Sequence, residues 1–218
     1  MTPFWVSAFL DLAPEEHERG VAFWQGVTGY GLSEPLHPQE VVADAGAAAD
    51  RATSLGARVV DRPEQAYVVL ESPGGFTFCF VHHRASERPR AAAWPGGQCS
   101  LVDQVCLDIP SSVHDEECSF WSEVTGWRLR RSDGHDEFSR LVSEDRVAIQ
   151  LLLQRLDEED GRVRAHLDIA TTDRAAETAR HEGLGATVID GTQEWWTVLA
   201  APAGPAYCIT DRAPDLLP

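Results

Sequence analysis

Apolar and polar residues follow the same order twice along this chain, in residues 9–30 and again in residues 106–127. Both stretches pass through Leu-Asp followed by Leu or Ile, then a helical stripe with Phe-Trp, and end at Val-Thr-Gly. Matching positions lie 97 residues apart, as in Phe23-Trp24 and Phe120-Trp121. A long repeat with fixed spacing indicates duplicated structural units.

The later parts of the two copies also match, but at a spacing of 129 residues, as in Cys79 and Cys208. The two spacings differ by 32 residues, so the first copy lacks about that many residues of the second. Continuing the later alignment inward places His37 opposite His166 and Asp44 opposite Asp173, where each aspartate would cap a helix.

The second copy predicts two successive βαβββ units. Residues 102–109 alternate as a half-buried strand, Ser112 with Asp115 opens a helix as a capping-box variant, and Gly126 ends it. A hairpin over 127–142 and a strand over 146–156 complete the first unit. The second unit has a strand over 163–171, a helix from Asp173 to Gly185, and three further strands.

These patterns predict an α+β fold built from tandem βαβββ units. The predicted domains are an incomplete one over residues 1–84, a linker over 85–99 that is rich in Arg, Pro, Ala and Gly, and a complete one over 100–218. A homodimer is one way to cover the exposed sheet edge of the incomplete copy.

Composition excludes several functions. The net charge of −17 opposes binding to nucleic acid or to anionic membranes, and no apolar run is long enough to span a bilayer. All 18 basic residues are arginines, which excludes a Schiff-base lysine and a P-loop lysine. Five cysteines without a CxxC motif and the absence of a signal peptide predict a reduced cytoplasm.

The ordered set FWxxVTG[YW], HLDIAT, LGA and WTVLAAPAGPAYC resembles the glyoxalase/bleomycin-resistance/dioxygenase superfamily, also called vicinal oxygen chelate proteins. The resemblance covers residues 101–212 and the ends of the first copy. It implies curled mixed sheets that form a cup, with helices outside and a small-molecule site inside. In the metalloenzymes of the family it also implies metal ligands on the first and last strands of each unit.

Carried over position by position, the resemblance points to Cys106, His166, Gln150 or Gln154, and Cys208. The family pattern would have Glu where Cys208 stands, and the matching positions of the first copy are Phe9, His37 and Cys79. Neutral amides and thiols in apolar strands are weak ligands for a hard ion. We therefore predict no bound cofactor, with a divalent metal on His166 and Gln150 as the alternative.

Strand alternation indicates which side chains share the polar faces of the strands, and these faces either line the cup or simply meet water. Arg164, His166 and Asp168 share one face of their strand, Gln150, Leu152 and Gln154 share one face of theirs, and Trp195 is placed on the cup side beside Thr197. His166 is the candidate metal ligand or general base. The alternative is that His166 only forms part of the cavity wall and is hydrogen-bonded to Arg164 or to a glutamine. The predicted ligand-binding set is Gln104, Cys106, Gln150, Gln154, Arg164, His166, Trp195, Thr197 and Cys208.

Other polar residues are interpreted as structural. Asp11, Asp108 and Asp168 recur once per unit, which favours a role at the strand–helix junction over catalysis. Cys79, Cys106 and Cys208 are predicted to be small core fillers. His17 and His114 occupy first-turn helix positions and are expected to be exposed.

Three functional hypotheses remain from the sequence. The favoured one is a metal-free protein that binds a small organic ligand, as the drug-resistance members of the superfamily do. The second is a divalent-metal-dependent lyase, isomerase or dioxygenase that uses His166 and a glutamine. The third is a structural or interaction domain without a ligand, and the polar cup lining argues against it.

Overall fold

The computed structural model describes residues 8–31, 45–63, 67–81, 89–132, 134–144 and 147–214. The four helices in these residues are α1 (His17–Thr28), α2 (Ala45–Ser54), α3 (His114–Thr125) and α4 (Arg174–Gly183). The strands are β1 (Arg58–Asp61), β2 (Tyr67–Glu71), β3 (Thr77–Val81), β4 (Ala92–Ala93), β5 (Cys99–Ile109), β6 (Arg128–Ser132), β7 (His135–Val142), β8 (Gln150–Arg155), β9 (Arg164–Thr171), β10 (Thr187–Asp190), β11 (Trp196–Ala200) and β12 (Ala206–Thr210). The predicted α+β class with open mixed sheets is confirmed. No helix in these ranges is both long and apolar enough to cross a membrane.

The chain forms two compact units, and each unit draws on both sequence copies. The first unit takes its described residues from the ranges 35–87 and 106–165, and the second takes them from 7–34, 88–105 and 166–218. Independent folding of the predicted domains 1–84 and 100–218 stays a prediction.

In the first unit, α2 packs on the antiparallel sheet β1-β2-β3, and α3 packs on the strands β6 and β7. The aromatic pair of α3 also packs against Phe78 on β3, with ring centroids 5.9 Å from Phe120 and 5.0 Å from Trp121. The apolar stripe of α3 therefore covers a strand that belongs to the other sequence copy.

The second unit contains the strand order β10-β11-β12-β9, followed by the first part of β5. The pairs β10–β11 and β11–β12 are antiparallel, and the pair β12–β9 is parallel. The aromatic pair of α1 packs against Tyr207 on β12, with centroids 6.0 Å from Phe23 and 5.2 Å from Trp24. Tyr207 and Phe78 are equivalent positions of the repeat, so the two units use the same aromatic contact.

The two aromatic contacts differ in one hydrogen bond. Trp121 Nε1 donates to Glu117 Oε2 at 2.6 Å, and Glu117 Oε1 accepts from the Gly74 backbone N–H at 2.5 Å. The position equivalent to Glu117 in α1 is Gly20, so the buried Trp24 Nε1 has no hydrogen-bond partner among the described residues. A buried unpaired donor destabilises the folded state.

A buried polar network ties α4 to α1 within the second unit. Arg180 donates to Glu177 and to the backbone oxygens of Gly26 and Val27, at the C-terminal end of α1. His181 contacts Glu177 at 3.1 Å and the Tyr207 hydroxyl at 2.8 Å. Cationic donors at a helix C-terminus satisfy its free carbonyl groups.

Burial alone raises the pKa of Glu177, but hydrogen bonds from His181, Arg180 and Ser100 outweigh it, so the pKa lies well below its usual range. Burial lowers the pKa of His181, and the neighbouring carboxylate only partly offsets this. The predicted linker takes part in the same network. Gln98 donates a hydrogen bond to Glu177, and the Arg180 Cζ atom lies 3.6 Å from the centroid of the Trp94 ring.

Several local predictions are confirmed by backbone geometry. Gly29 and Gly126 end α1 and α3 with φ of 70° and 71°, the left-handed conformation that favours glycine. Asp173 caps α4 by accepting from the Ala176 N–H at 3.0 Å. The position of Asp44 lies outside the described residues.

Other local predictions are wrong. The N-cap of α3 is Val113, without a side-chain cap, so Ser112 and Asp115 do not form the predicted capping box. Strand β5 is buried at successive positions along most of its length, so both of its faces are covered and the predicted half-buried alternation is wrong. His114 is buried, with Nε2 at 3.4 Å from the Cys118 sulfur, whereas His17 is exposed as predicted.

Candidate functional site

The parallel pairing of β9 and β12 brings polar side chains from two strands together in the second unit. Cys208 is the register partner of Asp168, and Tyr207 is the partner of Leu167. Because side chains alternate along a strand, Cys208 lies on the side opposite to Tyr207, which packs against α1. We call the side of β9 and β12 that carries His166, Asp168 and Cys208 the open face.

Asp168 is the centre of this polar group. Its Oδ1 lies 3.4 Å from His166 Nε2, and its Oδ2 accepts a hydrogen bond from Gln104 Nε2. The carboxylate side chain is 5% exposed and the imidazole is 18% exposed, so His166 remains within reach of a ligand. We call Gln104, His166, Asp168 and Cys208 the His166 group.

The residues His166, Asp168 and Cys208 each offer one donor atom, and the three atoms lie within 4.8 Å of one another. An imidazole, a carboxylate and a thiolate are ligands that zinc accepts, and three protein ligands leave a position open for a substrate or water. Gln104 would orient the carboxylate through its hydrogen bond to Asp168 Oδ2. The donor set therefore fits a divalent ion.

Asp168 is the site residue that sequence reasoning missed. Its recurrence in each βαβββ repeat favoured a structural role, yet strand alternation already placed Asp168 on the same face as His166. The predicted partners of His166 were Arg164 or a glutamine. Instead, Asp168 is its neighbour, and Arg164 pairs with Glu158 at the surface.

The predicted orientation of Trp195 and Thr197 is wrong. Thr197 pairs with Ile209, and Trp196 pairs with Thr210, so Thr197 lies on the helix-covered side and Trp196 shares the open face with Cys208. Trp195 precedes β11, has the same parity as Thr197, and is 52% exposed. Because Trp195 and Trp196 are adjacent, the sequence allows either side chain to face the cup. Only the register of β11 with β12 shows that Trp196 does so.

The remaining predicted residues lie on the first unit. Cys106 is buried, and its thiol lies 3.8 Å from Gln154 Oε1, its hydrogen-bond acceptor. Gln150 and Gln154 are half-buried on the same side of β8, while the alternate residues Leu151 and Leu153 are buried. The predicted alternation of this strand is confirmed.

The matching positions of the first copy do not form such a group in the described residues. Cys79 is exposed, so its predicted role as a core filler is wrong, whereas Cys106 and Cys208 are buried. Phe9 is 69% exposed, and His37 lies outside the described residues.

Structural comparison finds the same fold in a manganese-bound glyoxalase, a dioxygenase and a synthase. The Mn(II)-bound glyoxalase from Novosphingobium aromaticivorans aligns with a TM-score of 0.55 and 16% identity, over 76% of this chain and 58% of the other. The 2,2',3-trihydroxybiphenyl 1,2-dioxygenase from Sphingomonas wittichii aligns with a TM-score of 0.53 and 13% identity, over 93% and 90%. The 4-hydroxymandelate synthase mutant from Streptomyces coelicolor aligns with a TM-score of 0.51 and 13% identity, over 79% and 70%.

The chain thus spans less than two thirds of the length of the manganese-bound glyoxalase. A search among curated proteins finds no match to the sequence. The sequence profile of the glyoxalase-like domain matches residues 33–81 and 104–210. Because these residues make up more than half of the chain, the protein belongs to the glyoxalase-like domain family.

Proposed function

We propose that this protein binds a small organic ligand at the His166 group and does not require a metal to do so. The observation that carries the proposal is the buried Asp168 carboxylate, which is oriented by Gln104 and lies beside the more accessible His166. A fixed carboxylate and a reachable imidazole on an open sheet face can recognise a polar substituent of a ligand.

The hydrogen bonding inside the group supports a metal-free role. Asp168 already has Gln104 and His166 as neighbours, so its carboxylate has polar contacts without an ion. Trp196 lies on the same face of the sheet and is half-buried, which offers an aromatic surface to an apolar part of the ligand. The five cysteines form no disulfide among the described residues, which is consistent with the proposed location in a reducing cytoplasm.

A second candidate is a divalent-metal-dependent lyase, isomerase or dioxygenase of the vicinal oxygen chelate type. The specific observation in its favour is the spacing of the donor atoms of His166, Asp168 and Cys208. A bound divalent ion would polarise a substrate oxygen or acidify a bound water. His166 and Asp168 would then serve as its ligands, and the half-buried Trp196 would orient the substrate.

The two candidates are separated by metal analysis combined with thermal denaturation of the full chain. Under the first proposal, EDTA leaves the melting temperature unchanged, and members of a panel of small aromatic and amphipathic compounds raise it through binding to the native state. The replacements His166→Ala and Asp168→Asn should weaken that response while preserving the circular dichroism spectrum. The matched control is His17→Ala, an exposed histidine on α1.

The opposite result supports the metalloenzyme. Elemental analysis would then give about one zinc, manganese, nickel or iron per chain, and both His166→Ala and Asp168→Asn would remove it. If no compound changes the melting temperature and no metal is bound, neither function is supported.

A further inference from the structure

The first unit carries three arginines on one side of neighbouring strands. Arg130 on β6 is the register partner of Arg140 on β7, and Arg128 lies two residues away on the same side of β6. All three are exposed, while the alternate residues Leu129 and Leu141 face the other side. We call the side that carries Arg128, Arg130 and Arg140 the arginine face.

The side chains of these arginines have no hydrogen-bond or ion-pair partner within the described ranges, although their backbones pair in the sheet. Arginines elsewhere in the chain do pair with carboxylates, as Arg162 does with Glu71 and Arg212 with Asp103. Their isolation is notable in a chain with 35 acidic and 18 basic residues, where carboxylates are abundant. The arginine face is therefore a local positive surface on an acidic protein.

Protection of a sheet edge does not account for this arrangement. Charged residues on an exposed edge strand discourage strand pairing between molecules, and β6 is such a strand at the end of the order β8-β7-β6. Arg140 is on β7, which pairs on both sides, so it blocks no edge. Like charges directly opposite each other also destabilise a sheet, which makes the Arg130–Arg140 pair costly unless an anion binds there.

Apolar and amide side chains continue the arginine face onto β8. Leu152 is the register partner of Arg140, and Phe138, two residues along β7, pairs with Gln154. Leu152, Phe138 and Gln154 are all half-buried, so each presents some of its surface to solvent. An anion held by the arginines would have an apolar surface beside it.

We propose that the arginine face binds the carboxylate of a small organic anion, with its apolar part against Leu152 and Phe138. Guanidinium groups bind carboxylates through paired hydrogen bonds, which a neutral analogue cannot reproduce. This inference goes beyond the proposed function and does not depend on the His166 group, because the arginine face lies entirely within the first unit.

The test uses benzoate as the probe and benzamide as its neutral analogue, each titrated in the millimolar range against the full chain while the melting temperature is measured. Benzoate should raise the melting temperature in a dose-dependent way, and added salt should weaken the effect. Benzamide should have no effect. Inorganic phosphate is a third probe, and a response to phosphate equal to that of benzoate would overturn the part of the proposal that concerns the apolar surface.

The variants Arg130→Gln and Arg140→Gln should each weaken the apparent affinity for benzoate by about tenfold or more. Arg155→Gln is the matched control, because it removes the same charge. Arg155 is exposed at the end of β8, and its side chain lies on the side of the strand opposite to Gln154. His166→Ala should keep the benzoate response, which separates this proposal from the first. An unchanged response in Arg140→Gln, or no benzoate response in the natural sequence, would overturn it.

Discussion

The unequal surroundings of two equivalent tryptophans lead to a quantitative prediction. Trp24 and Trp121 occupy matching positions of the repeat, are 8% and 7% exposed, and pack on the equivalent aromatic residues Tyr207 and Phe78. Trp121 Nε1 donates to Glu117, whereas Trp24 Nε1 is buried without a partner in the described structure. We predict that Trp121→Phe destabilises the protein far more than Trp24→Phe.

The expected difference in the free energy of unfolding follows from comparing what each replacement removes. Both replacements remove the same part of an indole ring from a similar packing, so the cavity terms are nearly equal. Trp121→Phe also removes a hydrogen bond from the carboxyl group of Glu117, which is 0% exposed. Trp24→Phe instead removes an unsatisfied buried donor. At about 1–3 kcal/mol for each effect, the two variants should differ by about 2–6 kcal/mol in the free energy of unfolding.

The assay is urea denaturation followed by far-ultraviolet circular dichroism, which does not depend on the tryptophans as the signal. The exposed Trp195, replaced by Phe, measures the baseline effect of this substitution. Equal losses of stability in Trp24→Phe and Trp121→Phe would show that the Glu117 hydrogen bond contributes no net stability. A larger loss in Trp24→Phe would refute the assignment of an unpaired donor.

Other predictions concern titration, thiol reactivity and truncation. Burial lowers the pKa of His181, so the folded state favours the neutral imidazole. The free energy of unfolding should therefore fall as the pH drops below about 6.5, the ordinary histidine pKa. The variant His181→Gln should make the melting temperature less dependent on pH between pH 7 and 5, and the control His17→Gln should not. Burial raises the pKa of Cys118 to about 12, so iodoacetamide at pH 8 should label the exposed Cys79 and spare Cys118 until denaturant is added, as mass spectrometry would show. Residues 100–218 expressed alone should fold by circular dichroism but melt below the full chain, because α1 no longer covers β12; an unfolded fragment would contradict the predicted independent domain.

Local structure was predictable because its causes are local. The left-handed φ at Gly29 and Gly126 and the cap at Asp173 depend on a few neighbouring residues, and each was readable from the sequence. The same holds for the alternation of β8. The prediction at Ser112 failed for a local reason too, since the N-cap of α3 is the next residue, Val113, whose side chain makes no capping hydrogen bond.

The site and the packing of the helices depend on contacts far apart in the chain. The stripe with Phe23 and Trp24 shows that α1 buries an apolar surface, but nothing near it specifies Tyr207 as the partner. Asp168 meets Cys208 through the register of β9 with β12, 40 residues later in the sequence, and it meets Gln104 on β5, 64 residues earlier. Sequence alternation gave its face and could not supply the neighbour.

The exchange of aromatic helices between the copies explains how a shortened repeat can persist. The surviving part of the first copy provides α1 as cover for β12 and β3 as the surface for α3, so it completes the hydrophobic cores of both units. Selection on stability alone would preserve those segments even if the first copy had lost any binding role. We expect substitutions in the first copy to be tolerated where its residues do not contact the second copy. Substitutions at positions 23, 24 and 78, which pack against aromatic residues of the second copy, should be tolerated less.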